Sequence, residues 1–324
     1  MQVPQDTVRH RHAESLYHAL GPLVAEALNR PDVVEVMANP DGTLWVDRAG
    51  VGREKVGRIE PSAAETTIRL LASHMGETVN PEHPSVAGVL PRSGERFQGV
   101  LPPLAERPVF TIRKRATIVY TLDDYVAKGI LSPQGAEIIR NAVEERKNIL
   151  VAGGTGSGKT TLVNAILAEP AFTKDRIVII EDTKELQCPA EDKVELLTKG
   201  TEPRVTITDL LRMTLRLRPD RIIIGEVRGG EALAMLKAWN TGHPGGVATV
   251  HANSAADALQ RIEDLVGEAS AVIPHRSIAS AINLVVFVER IGEAPGRRVS
   301  SIARVSGLLD EGYNIAGVDT SVDS

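Results

Sequence analysis

The chain has 324 residues, which suggests about two domains that can each bury a core of their own. Charged residues make up 24% and apolar residues 42%, as in a typical globular protein, while the net charge of −5 disfavours a protein that wraps duplex DNA. The single cysteine, Cys188, excludes an intrachain disulfide and a cysteine metal site. No apolar run approaches the ~20 residues of a membrane span, and residues 1–12 lack the apolar core of a signal peptide, so we expect a cytosolic chain unless a partner holds it at a membrane.

The first third of the chain predicts a small α+β domain. Apolar residues at helical spacing indicate a helix over 7–29, broken or kinked at Gly21-Pro22, and a second helix over 62–75. Alternating apolar residues predict strands at 33–38, 43–47, 86–90, 96–101 and 109–113. An antiparallel sheet with two helices on one side would form this domain, which we place at residues 1–115.

Beyond residue 115 the pattern changes, and we place a second domain at 116–324. Strands are expected at 148–152, 176–180, 221–224 and 246–250. Helices are expected from Ser132-Pro133 to about residue 147, after the glycine-rich stretch described below, over 209–217 with Thr208 as its cap, over 230–240, and from Ser254 to Val266. Because the strands are apolar throughout and alternate with helices, the pattern predicts an α/β domain with a mostly parallel, doubly wound sheet.

A phosphate-binding pattern, G-x-x-x-x-G-K-[ST], follows the first of these strands. Its residues are Gly153, Gly154, Thr155, Gly156, Ser157, Gly158, Lys159, Thr160 and Thr161. Glycines let successive backbone N–H groups turn toward phosphate oxygens, and the helix that follows adds its unpaired N–H groups. Lys159 can reach the β- and γ-phosphates, and the Thr160 hydroxyl can bind Mg²⁺. A glycine-rich turn without a ligand is disfavoured because Lys159 and Thr160 both follow the last glycine, so we predict binding of a nucleoside triphosphate.

Two carboxylates follow apolar strands that end at the same edge of the predicted sheet. Glu181 comes after 177–180, and Glu226 comes after 222–224 in a segment similar to a Walker B strand. Either carboxylate alone is most simply a solvated loop residue. Two of them beside the same phosphate loop are much harder to attribute to chance. Spacing does not assign their roles; we favour Glu226 as the residue that activates water and Glu181 as the residue that orients Mg²⁺.

The sequence gives fewer clues to the positive groups that would contact the γ-phosphate. His251 ends another strand at the nucleotide edge, where an imidazole N–H would contact the γ-phosphate, although a lone histidine is usually structural. Beyond Lys159 the predicted P-loop domain shows no obvious second cation. Basic residues near the domain boundary offer an alternative, because arginines of another domain or subunit often meet the γ-phosphate. These are Arg92, Arg96, Arg113, Lys114 and Arg115.

Four ordered blocks together resemble the type II/type IV secretion traffic ATPases, and among them the TrbB-type conjugal-transfer branch. They are the Walker A block 153–161, the Asp box 179–187, the atypical Walker B block 215–229 and the His box 241–253. A lone Walker A block is only moderately specific, whereas all four in this order are strongly specific. The chain has no tetracysteine zinc segment, which favours the type IV and conjugation branch over type II secretion.

The resemblance implies a RecA-like P-loop ATPase domain preceded by a smaller, PAS-like N-terminal domain. It also implies a homo-hexameric ring, peripheral at the cytoplasmic face of the inner membrane, that uses ATP and Mg²⁺ and works with inner-membrane components of a secretion machine. The ATP sites would lie at the seam between the two domains. Arg96 and Arg113 match the family's N-terminal arginines that reach the phosphates.

The leading functional hypothesis is therefore a motor that hydrolyses ATP to drive type IV secretion or conjugal transfer. A DNA translocase is an alternative because of the basic cluster from Arg212 to Arg221, in which Arg212, Arg216 and Arg218 are predicted to lie on a helix that ends at Pro219. Direct nucleic-acid binding is nevertheless disfavoured by the net charge and by an aromatic content of 3%. A non-hydrolysing assembly switch is a second alternative, and a small-molecule kinase is disfavoured because no acceptor-binding block is apparent.

Overall fold

The computed structural model describes residues 5–48, 51–91, 93–114, 119–200, 203–310 and 312–318. The chain divides into two compact units, Met1–Thr117 and Ile118–Ser324, each with its own sheet. Among the helices of these described ranges, none combines the length and the apolar character that a membrane span requires.

The first unit is an antiparallel sheet with two helices. Its helices are α1 (Gln5–Asn29) and α2 (Pro61–Met75). Its strands are β1 (Val33–Ala38), β2 (Thr43–Arg48), β3 (Gly52–Arg58), β4 (Ser85–Val89), β5 (Arg96–Val100) and β6 (Val109–Arg113). They lie in the order β3-β2-β1-β6-β5-β4. The predicted helices and five predicted strands are confirmed to within a residue or two at most ends, and β3 is an addition.

Local sequence explains the helix boundaries in this unit. Gly21 adopts φ 75°, a left-handed conformation that kinks α1, as the sequence predicted. Pro61 occupies the first turn of α2, and Gly76 ends this helix in the left-handed conformation. Strand β3 escaped prediction because its sequence, GREKVGR, is polar and glycine-rich and lies at the edge of the sheet.

The core of the first unit lies between the two helices and one face of the sheet. Helix α1 contributes residues four apart, among them Leu16, Leu20 and Val24, and sheet residues such as Val36 and Ile112 pack against them. Each of these side chains is at most 1% exposed. Burying such a side chain stabilises a fold by roughly 1.5–3 kcal/mol, so this single cluster can support the unit.

The second unit is an α/β structure with a mixed sheet. Its strands are β7 (Ile149–Ala152), β8 (Ile177–Glu181), β9 (Lys193–Leu197), β10 (Arg221–Val227), β11 (Val247–Val250), β12 (Leu284–Arg290), β13 (Arg297–Leu309) and β14 (Gly312–Val318). They lie in the order β14-β13-β12-β7-β11-β10-β8-β9. Strands β7 to β12 run parallel, and β13 and β14 add an antiparallel edge. The helices are α3 (Leu122–Ala127), α4 (Pro133–Glu144), α5 (Lys159–Leu167), α6 (Ile207–Thr214), α7 (Glu231–Asn240), α8 (Ala255–Gly267) and α9 (His275–Ala281).

Apart from the edge strand β9, the parallel strands are largely buried on both faces, which explains their apolar sequences. In β7, Ile149 and Val151 belong to one core cluster, while Leu150 and Ala152 belong to the other. Strand β8 alternates in the same way. Two cores therefore sandwich the sheet, and the polar residues that follow each strand are placed at its edges.

Two details of the second unit correct the sequence predictions. The cap of α6 is Thr206, not Thr208, because Thr206 and Asp209 form a reciprocal capping box. This helix ends at Thr214, so Arg216 and Arg218 lie beyond it instead of on it.

Strand β10 also differs, since it continues past its predicted end at residue 224. Its pairing with β11 joins Ile224 to Ala248 and then Val227 to Val250. Two residues of β10, Gly225 and Glu226, thus oppose one residue of β11 in a bulge. Glu226 lies inside the strand, where a bulge redirects side chains.

A buried ion pair holds the amino-terminal ends of two parallel strands. Arg221 is 2% exposed, and its Nε donates to Asp175 Oδ2 at 2.6 Å. Its Nη1 donates to the Val143 carbonyl at 3.0 Å, and its guanidinium lies 4.5 Å from the centre of the Phe172 ring. Arg146 donates to the other oxygen of Asp175. The pair lies at the opposite edge of the sheet from the phosphate loop.

Replacement of Asp175 by Ala should destabilise the second unit by about 3–5 kcal/mol, because it leaves a buried guanidinium without its counter-ion. Urea unfolding of a Trp45→Phe background measures this, since Trp239 then reports on the second unit alone. The matched control is Asp192→Ala, whose partner is Arg176 and whose side chain is 60% exposed; it should lose about 1 kcal/mol or less. Equal losses in the two variants would contradict a stabilising role for the buried pair.

Candidate functional site

The phosphate loop joins β7 to α5 through a backbone that only glycine accommodates at several points. Gly156 and Gly158 have φ values of 71° and 100°. A Cβ on Gly153 would lie 2.2 Å from the Val288 carbonyl oxygen, so the loop packs directly on the neighbouring strand β12. Gly154, Thr155 and Gly156 form its exposed tip, while Thr160 and Thr161 lie half-buried in the first turn of α5.

Lys159 turns its ammonium toward the loop itself. Its side chain donates to the carbonyl oxygens of Gly153 at 2.9 Å and Gly154 at 3.0 Å. A third contact, 3.3 Å, joins Lys159 Nζ to His251 Nδ1. The residue is 8% exposed, so a positive charge is concentrated at the mouth of the loop.

His251 connects this lysine to Glu226. Its Nε2 lies 2.7 Å from Glu226 Oε1. An ammonium can only donate, so Nδ1 accepts from Lys159, and we assign the neutral tautomer in which Nε2–H donates to Glu226. Burial and the charge of Lys159 lower the pKa of His251, while Glu226 opposes that change. A neutral imidazole fits both contacts.

Glu226 is held on its second oxygen as well. Arg228 Nε donates to Glu226 Oε2 at 2.6 Å, and Arg228 Nη1 lies 3.4 Å from Asp182 Oδ2. The carboxylate of Glu226 is thus oriented from two sides, by an imidazole and by a guanidinium. A continuous row of contacts runs from Lys159 to Asp182 along the carboxyl edge of the sheet.

Glu181 organises backbone instead of facing the loop opening. It is the last residue of β8, is 4% exposed, and its Oε1 accepts from the backbone nitrogens of Glu185 and Leu186, both at 2.9 Å. A Cβ on Gly225 would approach Glu181 Cγ to 2.9 Å, so the glycine makes room for this side chain. Burial raises the pKa of Glu181 to about 6, and the two backbone hydrogen bonds limit the rise.

The segment that Glu181 holds brings a different carboxylate to the loop. Thr160 Oγ1 donates to Glu185 Oε2 at 3.3 Å. Asn164 of α5 secures the segment, because its Oδ1 accepts from the backbone nitrogen of Gln187 at 2.9 Å. Sequence reasoning missed Glu185; its signal was a third acid in the Asp box, four residues after Glu181.

The two predicted N-terminal arginines lie side by side in the first unit. Arg96 of β5 and Arg113 of β6 are directly opposite each other, and Arg113 is opposite Glu35 on its other side. Opposed residues of antiparallel strands share one face of the sheet. Their contact with a nucleotide stays a prediction. Arg92 and Arg115 lie outside the described residues.

Within the described ranges, no cluster of three or more histidine, cysteine, aspartate or glutamate side chains could hold a metal ion. Thr160 offers a hydroxyl for a bound Mg²⁺, whose other ligands would be phosphates and water, as is common for this ion. Cys188 is buried, and burial raises the pKa of its thiol.

Comparison with known proteins identifies the family. Residues 65–303 match the family described as Type II/IV secretion system protein. The chain belongs to this family. A conjugal transfer protein TrbB of Rhizobium radiobacter is 47% identical over 305 residues, which cover 94% of this chain and 93% of that relative. The predicted family, with its TrbB-type likeness, is confirmed.

Other secretion-family relatives extend the match. A type IV secretion system protein PtlH homolog of Bordetella bronchiseptica is 37% identical over 316 residues, which cover 87% of this chain and 93% of the relative. The X-ray structure of the Legionella pneumophila ATPase DotB superposes with a TM-score of 0.60 at 18% identity, covering 92% of this chain and 81% of that one. At this identity the superposition supports the fold alone.

Replacement of Glu181 by Gln should change how the stability of this secretion-family protein depends on pH. The pKa of Glu181 is about 6 in the folded chain against 4.5 ordinarily, so the folded state binds the proton more tightly. Wild-type stability should therefore fall as pH rises from about 4.5 to 6, and Gln, which keeps an acceptor, should remove this loss. The variant should gain about 2 kcal/mol relative to wild type between pH 4 and pH 7.

Urea unfolding in the Trp45→Phe background, without nucleotide or Mg²⁺, measures that difference. Glu181→Ala is the control, because it removes the acceptor of two backbone N–H groups and should lose stability relative to Gln at every pH. A difference between wild type and Glu181→Gln that stays constant from pH 4 to pH 7 would rule out the buried, proton-binding carboxyl.

Proposed function

We propose that this chain is an ATP hydrolase that powers type IV secretion or conjugal transfer. The observation that carries the proposal is the row of contacts from Lys159 through His251 to Glu226, at the carboxyl edge of one parallel sheet. Ligands of such sheets bind at this edge. The names of the curated relatives, a conjugal transfer protein and a type IV secretion system protein, support the assignment of that activity to secretion.

The loop fits a chain of phosphates. The Ser157 hydroxyl is buried within it, at 2% exposure, and has no hydrogen-bond partner in the part of the chain that the structure describes. The N–H groups at the start of α5 add a positive field, and Lys159 supplies a full charge. Thr160 would bind Mg²⁺, with Glu185 or Glu181 ordering its water ligands. Mg²⁺ would neutralise charge on the β- and γ-phosphates.

The proposed chemistry assigns a role to each contact at the edge. Glu226 would accept the proton of the attacking water, since its carboxylate is oriented by His251 and Arg228. His251 would respond to the γ-phosphate through Lys159, because the same ammonium contacts its Nδ1. Glu181 would orient the metal and its water ligands indirectly, because it holds the segment that carries Glu185.

The proposal extends to the whole assembly. We propose that the two units are a PAS-like domain, 1–115, and a RecA-like ATPase domain, 116–324. Six copies would form a ring, peripheral at the cytoplasmic face of the inner membrane, in contact with inner-membrane components of the secretion machine. Arg96 and Arg113 would complete each ATP site with two further cations.

Glu226→Gln should bind ATP with nearly the wild-type affinity yet hydrolyse it about 10²–10⁴-fold more slowly, because Gln keeps the shape but cannot take up the proton. Phosphate release and equilibrium ATP binding are the two measurements. Lys159→Ala should lose turnover and affinity together. Glu144→Gln, an exposed change on α4, is the control and should match wild type. Normal turnover in Glu226→Gln would transfer the role of base to Glu181.

The ring is tested by solution mass with and without a non-hydrolysable ATP analogue. The chain has a mass of 34.8 kDa. We expect the analogue to favour a species of six chains, because a bound triphosphate would be held by the loop and by the arginines that close each site. Glu226→Gln with ATP should behave like wild type with the analogue. A monomer under all of these conditions would exclude the ring.

A further inference from the structure

Two arginines of the second unit lie directly against the phosphate loop. Arg290 is the last residue of β12 and Arg297 is the first residue of β13, and the two are paired across the hairpin. The sequence interpretation found no second cation in this domain. Both residues lie far beyond the loop in the chain, so only the folded sheet brings them there.

Both arginines approach the loop at glycines that have a positive φ. Arg297 Nη1 lies 2.6 Å from the position that a Cβ on Gly158 would take, and Arg290 Nη1 lies 3.8 Å from the corresponding position at Gly156. A side chain at position 158 would displace the guanidinium. The glycines thus serve a second purpose, since they admit two positive groups to the surface of the loop.

Neither guanidinium is neutralised within the described residues. The ion pairs and side-chain hydrogen bonds found there include none for Arg290 or Arg297. Their neighbours behave differently, because Arg298 contacts Glu289 at 3.3 Å across the same hairpin. Like charges directly opposite each other destabilise a strand pair. Two unpaired arginines held opposite each other beside a phosphate loop are suited to an anion.

A second observation in the loop itself also indicates a ligand. Ser157 lies between Gly156 and Gly158, and its buried hydroxyl has no partner among the described side and main chains. The hydroxyl belongs to the residue between the two glycines that the guanidinium groups approach, and none of these three groups has an acceptor among the residues that the structure describes.

The order of strands indicates which part of the nucleotide the arginines meet. Strand β11, which His251 follows, and strand β10, which contains Glu226, lie on one side of β7. Strands β12 and β13 lie on the other side. In the proposed function the γ-phosphate lies on the His251 side. The hairpin therefore faces the phosphates nearer the nucleoside.

We propose that Arg290 and Arg297 bind the α- and β-phosphates, which ATP and ADP share, from within the same chain. This inference rests on the proposed function, because it assumes that the loop holds a nucleotide. It distinguishes these residues from Arg96 and Arg113, whose proposed partner is charge on the γ-phosphate. The arginine pair would hold ADP as firmly as it holds ATP.

The test compares equilibrium affinities of full-length wild type, Arg290→Gln and Arg297→Gln for Mg²⁺–ADP and for a non-hydrolysable Mg²⁺–ATP analogue, by calorimetry. Each variant should bind both ligands about tenfold or more weakly, and by the same factor, since one charge-assisted hydrogen bond to a common phosphate is lost. The ADP affinity of wild type should also fall more steeply with salt than that of Arg297→Gln. The matched control is Arg298→Gln, which should stay within about twofold of wild type because its partner is Glu289.

The outcomes separate this inference from the proposed function. If wild type binds neither nucleotide, the proposed function fails. If wild type binds both and the two Gln variants bind within about twofold of it, the arginine inference fails alone. A loss confined to the ATP analogue would place the arginines at the γ-phosphate and overturn the assignment. If circular dichroism shows that Arg297→Gln is unfolded, the test rests on the exposed Arg290→Gln and on the charge-conserving Arg297→Lys. Arg297→Lys should then retain part of the wild-type affinity for both nucleotides.

Discussion

The buried ammonium of Lys159 is the interaction on which the rest of the site depends. At 8% exposure it needs acceptors from the protein, and it finds them in two loop carbonyls and in His251 Nδ1. That last contact sets the tautomer of His251, and the tautomer in turn directs an N–H to Glu226. Glu226 then has one oxygen left for Arg228. Each contact limits the next one, so the orientation of the proposed base follows from the placement of one charge.

The sheet makes this row possible because its strands end in register. Strands β7, β11 and β10 are adjacent and parallel, and their carboxyl ends deliver the phosphate loop, His251 and Glu226 to neighbouring positions. Two apolar cores, one on each face, hold the strands in place, and the Arg221–Asp175 pair holds the opposite edge. The polar groups are thus confined to one rim of an otherwise apolar layer.

Features that depend on residues close together in sequence could be predicted, and features that depend on contacts between distant segments could not. The apolar strands and the phosphate loop are local patterns, so 148–152 and 153–161 could be located from sequence. Glu185 depends on a loop that Glu181 folds back over α5, and the Arg290–Arg297 pair depends on a hairpin far along the chain. Thr206 and Thr208 are equally good caps until the bonds of Asp209 distinguish them. Pairings between distant segments leave no local signal, which is why these features required the structure. The roles of the site residues remain proposals.

The bulge in β10 affects how the residue at position 226 can be substituted during evolution. Gly225 and Glu226 together oppose the single residue Thr249, whose hydroxyl donates to the Gly225 carbonyl at 2.7 Å. The extra residue lets a strand with apolar neighbours on both faces carry one acid to the rim without exposing either core. Chemistry and stability are thereby separated within seven residues of chain. If Glu226 is the base, as proposed, substitutions at position 226 would alter the reaction while the same strand continues to support the domain, so this position would be open to functional divergence at little structural risk.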